Sequence, residues 1–412
     1  MIIINKPFIE TRYGKVYLKA MVTDECNRLS ETCYFVTEED YGKYFCDEVS
    51  DAFVTGLLLP ALQSNQDIIV KGAISEKLYF NLTITIVFIL SKAFNYKPIK
   101  IIPEKIVRMN FNSFAVGTGC SLGIDSFSTI IKHTADDCPD SYKLSHLTYF
   151  NVGAHGEKET EMVNKSFQND LIKIKEFAEE IKLPLITVES NLPVFFRSYS
   201  FNFNQTHVIR NMSMVLSLQK LFRKYIYSSG YPVSEIHLSS VDPTYMEGLL
   251  QPNLSTENTE LIVGGPNLSR AEKANEICDN NLVQKHLYVC VKDLAINNKM
   301  NLGPWVKIQD VEKRNCSGCD KCLRTLLVFE IIGKLDEYNE LFDLPKYHSL
   351  KKLFMAKVIG LKNKSFVFKD VYSLAIKNNY KISFLSRLLS LVYKFGIVNL
   401  FYKIVLKFKN NS

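Results

Sequence analysis

Between residues 112 and 241, strand-like and helix-like segments take turns, and this alternation restricts the fold more than any other feature of the 412-residue chain. NSFAVGTG is an apolar run that ends in glycines, FSTIIKH turns helical, and KLSHLTYFNVG reads as a second strand. A long charged amphipathic stretch over residues 157–181 follows, then the strand PLITVES, the helix HVIRNMSMVLSLQKLFRKYI and the strand EIHLSSV. Strands joined by helices of this length predict an α/β fold, with a central parallel sheet covered by helices on both faces. Ligands of such sheets sit beyond the carboxyl ends of the strands, which is where Gly117, Gly119 and Gly123 fall.

The chain is longer than the roughly 250–300 residues that one hydrophobic core serves, so more than one unit is expected. Residues 1–108 read as an N-terminal α/β unit of their own: KVYLKAMV and ETCYFVT alternate as strands, and DAFVTGLLLPALQS has helical spacing up to its Pro. Residues 109–340 hold the alternating core, and residues 341–412 form a basic helical tail. The most apolar window, LTITIVFIL, is shorter than the roughly 20 residues of a membrane span and reads as a buried helix. MIIINKPFIE has no secretory pattern, and the ten Cys are scattered apart from one cluster, which points to a reducing, cytoplasmic setting. Net charge is +7, yet residues 346–412 alone carry fourteen Lys and Arg against one acid, Asp370. The remainder is therefore mildly acidic, and a general affinity for nucleic acid is not expected of it.

The turn VGTGCSLGIDSFSTIIKH admits three chemistries. A dinucleotide loop would need the spacing G-x-G-x-x-G and an acid at the end of the second strand, where this chain has Asn151. GCSLG fits a hydrolase nucleophile elbow, with Ser121 as nucleophile and Asp242, His286 and His348 as nominal partners, but no HGGG-type segment precedes it. A pyrophosphate seat needs backbone N–H groups that approach phosphate closely, hydroxyl donors and a helix N-terminus. Gly119, Ser121, Gly123, Ser126 and the helix FSTIIKH supply these, and Asp125 can cap the helix or hold a divalent metal.

Further on, NCSGCDKCLRTLL places Cys316, Cys319 and Cys322 in C-x2-C-x2-C spacing. Three close thiols form most of a tetrahedral zinc site, and the continuation lacks the C-P of an iron–sulfur run.

The loop S-L-G-I-D-S resembles the S-G-G-x-D-S motif of the PP-loop ATP pyrophosphatases, with Leu122 in place of the first Gly. With HVIRN, LIVGGPNLSRAEKANEI and CSGCDKCLRT following in order, residues 112–329 resemble 7-cyano-7-deazaguanine synthase and its relatives. The resemblance implies ATP and Mg²⁺ over Ser121, Leu122, Gly123, Ile124, Asp125 and Ser126, with Asp125 and Ser126 catalytic. It implies further nucleotide contacts at Asn151, Arg210 and Asn211, and Zn²⁺ on Cys316, Cys319 and Cys322. The family's fourth zinc Cys falls near residues 307–309, where this chain has none, leaving Cys290, Asp310 or water. The activity implied is adenylation of an acceptor oxygen, then attack by a nitrogen or sulfur nucleophile, with a small-molecule or sugar-linked acid as the preferred acceptor. A nucleotide-binding regulator that has lost activity is the further alternative, and self-association stays open. Lys321 and Arg324 are candidate anion contacts, and His155 reads as a polar filler.

The tail SFLSRLLSLVYKFGIVNLFYKIVLKFK mixes Leu, Phe and Ile with regularly placed Lys and Arg. Two readings are open: helices that bury an apolar face on the body and point Lys outward, or a basic amphipathic surface lying on anionic bilayers at the inner membrane face.

Overall fold

The computed structural model describes residues 1–158, 160–290 and 313–395. They form two compact units, one of Met1–Ser121 with Asp125–Asn267, the other of Leu122–Ile124 with Leu268–Ser412. These boundaries differ from the sequence-based segments, because the N-terminal strands belong to the same sheet as the alternating core.

The first unit holds the eleven strands found among the described residues: β1 (Ile2–Asn5), β2 (Phe8–Arg12), β3 (Lys15–Asp24), β4 (Leu29–Glu38), β5 (Ile68–Ser75), β6 (Ile101–Val107), β7 (Ala115–Gly119), β8 (His146–Asn151), β9 (Leu185–Ser190), β10 (Phe222–Ser228) and β11 (Glu260–Gly264). Their order is β11-β10-β7-β8-β9-β4-β3-β1-β5-β6, with β2 pairing on β3 off this path. The five strands from β7 to β11 are mutually parallel, as are β1, β5 and β6. Between these blocks stands the hairpin β3–β4, antiparallel to β1 and to β9. The sheet is therefore mixed, not the parallel sheet expected. The reason is the short connection from Asp24 to Leu29, which permits only antiparallel pairing of the two strands it joins.

The helices used below are α1 (Asp51–Ser64), α2 (Glu76–Phe94), α3 (Ile124–Thr134), α4 (Glu161–Glu180), α5 (Phe203–Ser217), α6 (Asp320–Ile331), α7 (Leu344–Leu361), α8 (Phe366–Lys377) and α9 (Phe384–Lys394). Helix α1 is buried along its whole first three turns, so its apolar residues face the core on every side. It runs through Pro60 instead of stopping there, and Asn65 in left-handed backbone ends it. Helix α5 packs closely against it: Ser213 Oγ of α5 donates to the Ala52 carbonyl at 2.6 Å, and a Cβ on Gly56 would stand 2.8 Å from that Ser213 Oγ.

Helix α2 contains a π-helical turn over Leu82–Ile86 and is the one described helix long and apolar enough to cross a membrane by length and composition. Leu78, Leu82, Ile86 and Leu90 are buried, whereas Phe80, Ile84 and Phe88 are exposed, so the expected burial holds for one face only. A further correction falls on residues 207–241. The helix stops at Ser217, and Phe222–Ser228 is the strand β10, while EIHLSSV forms no strand. Residues 222–228 pair with β7 on one side and β11 on the other, and this two-sided pairing overrides the local helical pattern. Gly117 belongs to this pairing. A Cβ there would stand 2.4 Å from the Phe222 ring, so this glycine serves sheet packing and not the loop.

The join between the two blocks is narrow, with Phe35 opposite Ser190 and Val36 opposite Glu189. Side chains extend it. Asn191 Oδ1 accepts from the Tyr34 amide at 2.9 Å and its Nδ2 donates to the Thr32 carbonyl at 2.8 Å. Ser190 Oγ donates to the Tyr34 carbonyl at 2.6 Å, and Thr37 Oγ1 to the Thr187 carbonyl at 2.8 Å. Replacing the buried Asn191 by Ala strands a backbone donor and acceptor; we expect a loss of about 2 kcal/mol, read from the urea midpoint at unchanged slope.

Candidate metal centre and nucleotide loop

Four thiols, not three, converge in the second unit. The ligand atoms of Cys290, Cys316, Cys319 and Cys322 all lie within 4.8 Å of one another, and all four residues are buried. Cys316 and Cys322 sulfurs are 3.8 Å apart. Tetrahedral arms of about 2.3 Å require sulfur–sulfur edges of about 3.8 Å, so the spacing suits zinc. Cys290 supplies the fourth thiol beside the triad, whereas Asp310 and residues 307–309 lie outside the described residues. A closed set of four thiolates leaves no open position, which is the pattern of a structural site.

The local fold explains how the sulfurs meet. Cys319 caps α6 and Cys322 lies in its first turn. The Cys316 and Cys319 amides point at the Cys290 and Cys316 sulfurs, each at 3.4 Å. Ser317 takes a left-handed φ of 54°, which folds the chain back between the two thiols. The four thiols share hydrogen bonds that split them. Those from Cys290, Cys319 and Cys322 hold the Cys316 thiol far below its ordinary value, and those from Cys290 and Cys322 bring the Cys319 thiol down to about 7. The Cys290 and Cys322 thiols are instead pushed up by the same contacts and by burial. Thiolates are what a metal binds. The residue that sequence reasoning missed is Asn315. Its Oδ1 accepts from the Val289 and Cys290 amides at 2.9 and 3.2 Å, and its Nδ2 donates to the Leu287 carbonyl at 2.9 Å. It fixes the chain that delivers Cys290, and no spacing in the sequence marks it.

The other candidate lies after β7. Ser121 is exposed, Asp125 half-buried, and Leu122, Gly123, Ile124 and Ser126 buried. Ser126 Oγ donates to the Gly119 carbonyl at 2.9 Å and accepts from the Ser121 amide at 3.2 Å, so its hydroxyl closes the loop on itself. Leu122, where the motif has Gly, has a φ of 57°, and its carbonyl accepts from the Tyr288 amide at 2.8 Å. Helix α3 begins at Ile124 with Asp125 in its first turn. For a hydrolase elbow the strain belongs on the nucleophile, and here it falls on Leu122. Asp242 is engaged elsewhere, accepting from the Thr244 amide at 3.0 Å and from the Tyr231 hydroxyl at 3.2 Å.

The remaining site residues divide. Asn151 donates to Glu189 Oε2 at 2.9 Å and lines a cavity of about 250 Å³ over the seam of β3, β4, β9 and β8. Tyr17, Val36, Glu189 and Asn151 stand in one row across those four strands. Arg210 is fully buried instead of facing solvent. Its Nη1 donates to Glu157 at 2.7 Å and to the Val152 carbonyl at 3.2 Å, and its guanidinium lies 4.1 Å from the Phe196 ring centre. Gly153 has a φ of 111°, a backbone that strains any other residue, and a Cβ there would also meet that nitrogen at 2.5 Å. Asn211 Nδ2 donates to the His207 carbonyl at 2.8 Å. His155 Nε2 lies 2.8 Å from the Tyr149 hydroxyl and 3.4 Å from Asp170, a buried polar network in keeping with a filler. Arg324 lies within electrostatic reach of Asp370, the acid that accepts from the Ala271 amide at 3.0 Å.

Comparison with protein-family models, with curated proteins and with solved structures gives no match for this chain.

The purified protein is expected to hold one zinc per chain by elemental analysis. Asn315→Ala should weaken zinc about 10–100-fold in competition with a chromogenic chelator, as loss of a supporting hydrogen bond does elsewhere. Arg210→Ala, which breaks a buried ion pair, should lower stability by about 3 kcal/mol in a denaturant titration.

Proposed function

We propose that the chain is an ATP-dependent ligase that forms AMP and pyrophosphate, adenylating an oxygen of a small or sugar-linked acid for attack by a nitrogen or sulfur nucleophile. The observation that carries this reading is where loop 119–126 lies. Counted from β7, the parallel block runs 3-2-1-4-5, and the loop leaves the carboxyl end of β7 at the point where the order reverses. Open α/β sheets bind ligands at such a switch point. The helix that starts there favours an anion at its N-terminus.

Each loop residue then has a role. Leu122 keeps the backbone turn that the motif assigns to glycine, and its side chain is buried instead of filling the cradle. Ser121, at the exposed apex, offers its hydroxyl to a phosphoryl oxygen. Asp125 is the carboxylate that would hold Mg²⁺, which when bound neutralises charge on the leaving pyrophosphate. Ser126 is a positioning residue that holds the loop closed. The acceptor oxygen bonds to the α-phosphorus as the bond to pyrophosphate breaks, and the nucleophile then displaces AMP. Fixed loop dipoles stabilise the charge that builds on the leaving group.

The cavity over the seam suits the acceptor. Lys158 and Arg197 line it, are exposed, and have no ion-pair partner among the described residues, so an acid group matches them. Tyr17, Tyr34 and Val163 flank the space for its body. The four-thiol cluster has a structural part in this reading.

Mg–ATP should raise the melting temperature of the wild type, and Asp125→Asn should abolish the shift. With a panel of carboxylic acids, Asp125→Asn should slow exchange of labelled pyrophosphate into ATP about 10²–10³-fold, and Ser121→Ala should slow it less. Fluorophosphonate labelling of Ser121 without any shift by Mg–ATP would assign the loop to a serine hydrolase instead.

A further inference from the structure

Helix α9 presents its apolar side to solvent. Ser386 and Ser390 are buried, and Ser386 Oγ donates to the Lys352 carbonyl of α7 at 2.9 Å. A Cβ on Gly360 of α7 would stand 2.6 Å from the Ser390 carbonyl and from Tyr393 Cβ, so the two helices meet through small residues at close range. On the opposite side Phe384, Leu388, Leu391 and Phe395 are 80%, 53%, 46% and 67% exposed. Their spacing of four, three and four residues keeps them on one stripe. Of the two readings of the tail, α9 does not fit the one that buries the apolar face; residues 396–409 of that stretch lie outside the described residues. Ser386 and Ser390 pack inward, Leu389, Val392 and Tyr393 are half-buried, and the stripe of Phe384, Leu388, Leu391 and Phe395 faces out.

We propose that this stripe docks on an anionic lipid bilayer. Charge complementarity selects that occupant. Arg387 and Lys394 are exposed on the same flank of the stripe, about 70–90° around the helix from its centre, where long side chains can reach headgroups while Phe and Leu enter the acyl boundary. Lys377 and Lys381 precede the helix and are exposed too. Residues 377–412 contain seven Lys and Arg and no acid, a composition that attracts an anionic leaflet and that no acidic side chain in the segment offsets. One stripe of four large hydrophobes is a marginal anchor by itself, so the apolar and ionic contributions act together and binding is reversible. The inference stands apart from the ligase reading, since no nucleotide enters it.

The test is co-sedimentation of the full-length protein with vesicles of phosphatidylcholine alone and of phosphatidylcholine mixed equally with phosphatidylglycerol. Pelleting is expected only with the anionic vesicles and should fall as salt rises. The double variant Leu388→Asp/Leu391→Asp changes exposed positions, so its melting temperature should match the wild type while its vesicle affinity drops at least about tenfold. Failure of the wild type to pellet, or equal pelleting of the double variant, would overturn the proposal. So would a halving of the solution mass by the double variant with vesicle binding unaltered, which would give the stripe to a second copy of the chain.

Discussion

The first unit depends on a short stretch of antiparallel pairing. Its two parallel blocks are each built by strands that return through helices, and neither block can extend into the other in that way. The β3–β4 hairpin supplies the missing edge for both, and at β4–β9 only two residue pairs are in register. Asn191, Ser190 and Thr37 add side-chain hydrogen bonds to backbone groups there, and two of them, Asn191 and Ser190, also line the cavity. Stability and site geometry thus share the same few contacts.

In the second unit the corresponding constraint is the approach of four sulfurs. Buried thiols lacking a metal gain little from one another, and burial of thiolates is costly without a cation. The spacing of Cys316, Cys319 and Cys322 to suit tetrahedral arms, with Asn315 holding Cys290 in place, is a geometry that a bound ion completes. Leu122, which stands where the resembling motif has Gly, and Ser317 of the thiol knuckle both lie in left-handed backbone. An L-residue holds that conformation at a cost of roughly 1–2 kcal/mol, so backbone shape can persist after glycine is lost.

What the sequence made legible was local. The strand, glycine turn and helix around residue 119 are written in adjacent residues, and so is the three-thiol knuckle. Cys290 stands 26 residues from Cys316 and has no pattern of its own, so only folding brings it in. The mixed sheet escaped for the same reason: which strand lies beside β9 is decided by β4, far away in sequence. Residues 222–226 carry an apolar periodicity that suits a helix until β7 and β11 are there to pair with them. The outward stripe of α9 was hidden because sequence gives a helix two faces without saying which one meets α7.

The seam has a consequence for biogenesis. Tyr34 and Asn191, joined across it, are 157 residues apart in the chain. A ribosome adding about 5–20 residues per second needs roughly 8–30 s to supply the partner after β4 has emerged. Throughout that interval β4 is the open border of a nascent hairpin, with its amides and carbonyls available to any other extended chain. Early chaperone engagement, or a slowing of synthesis that prolongs the delay, would therefore act on this protein mainly through the yield of molecules that close the sheet.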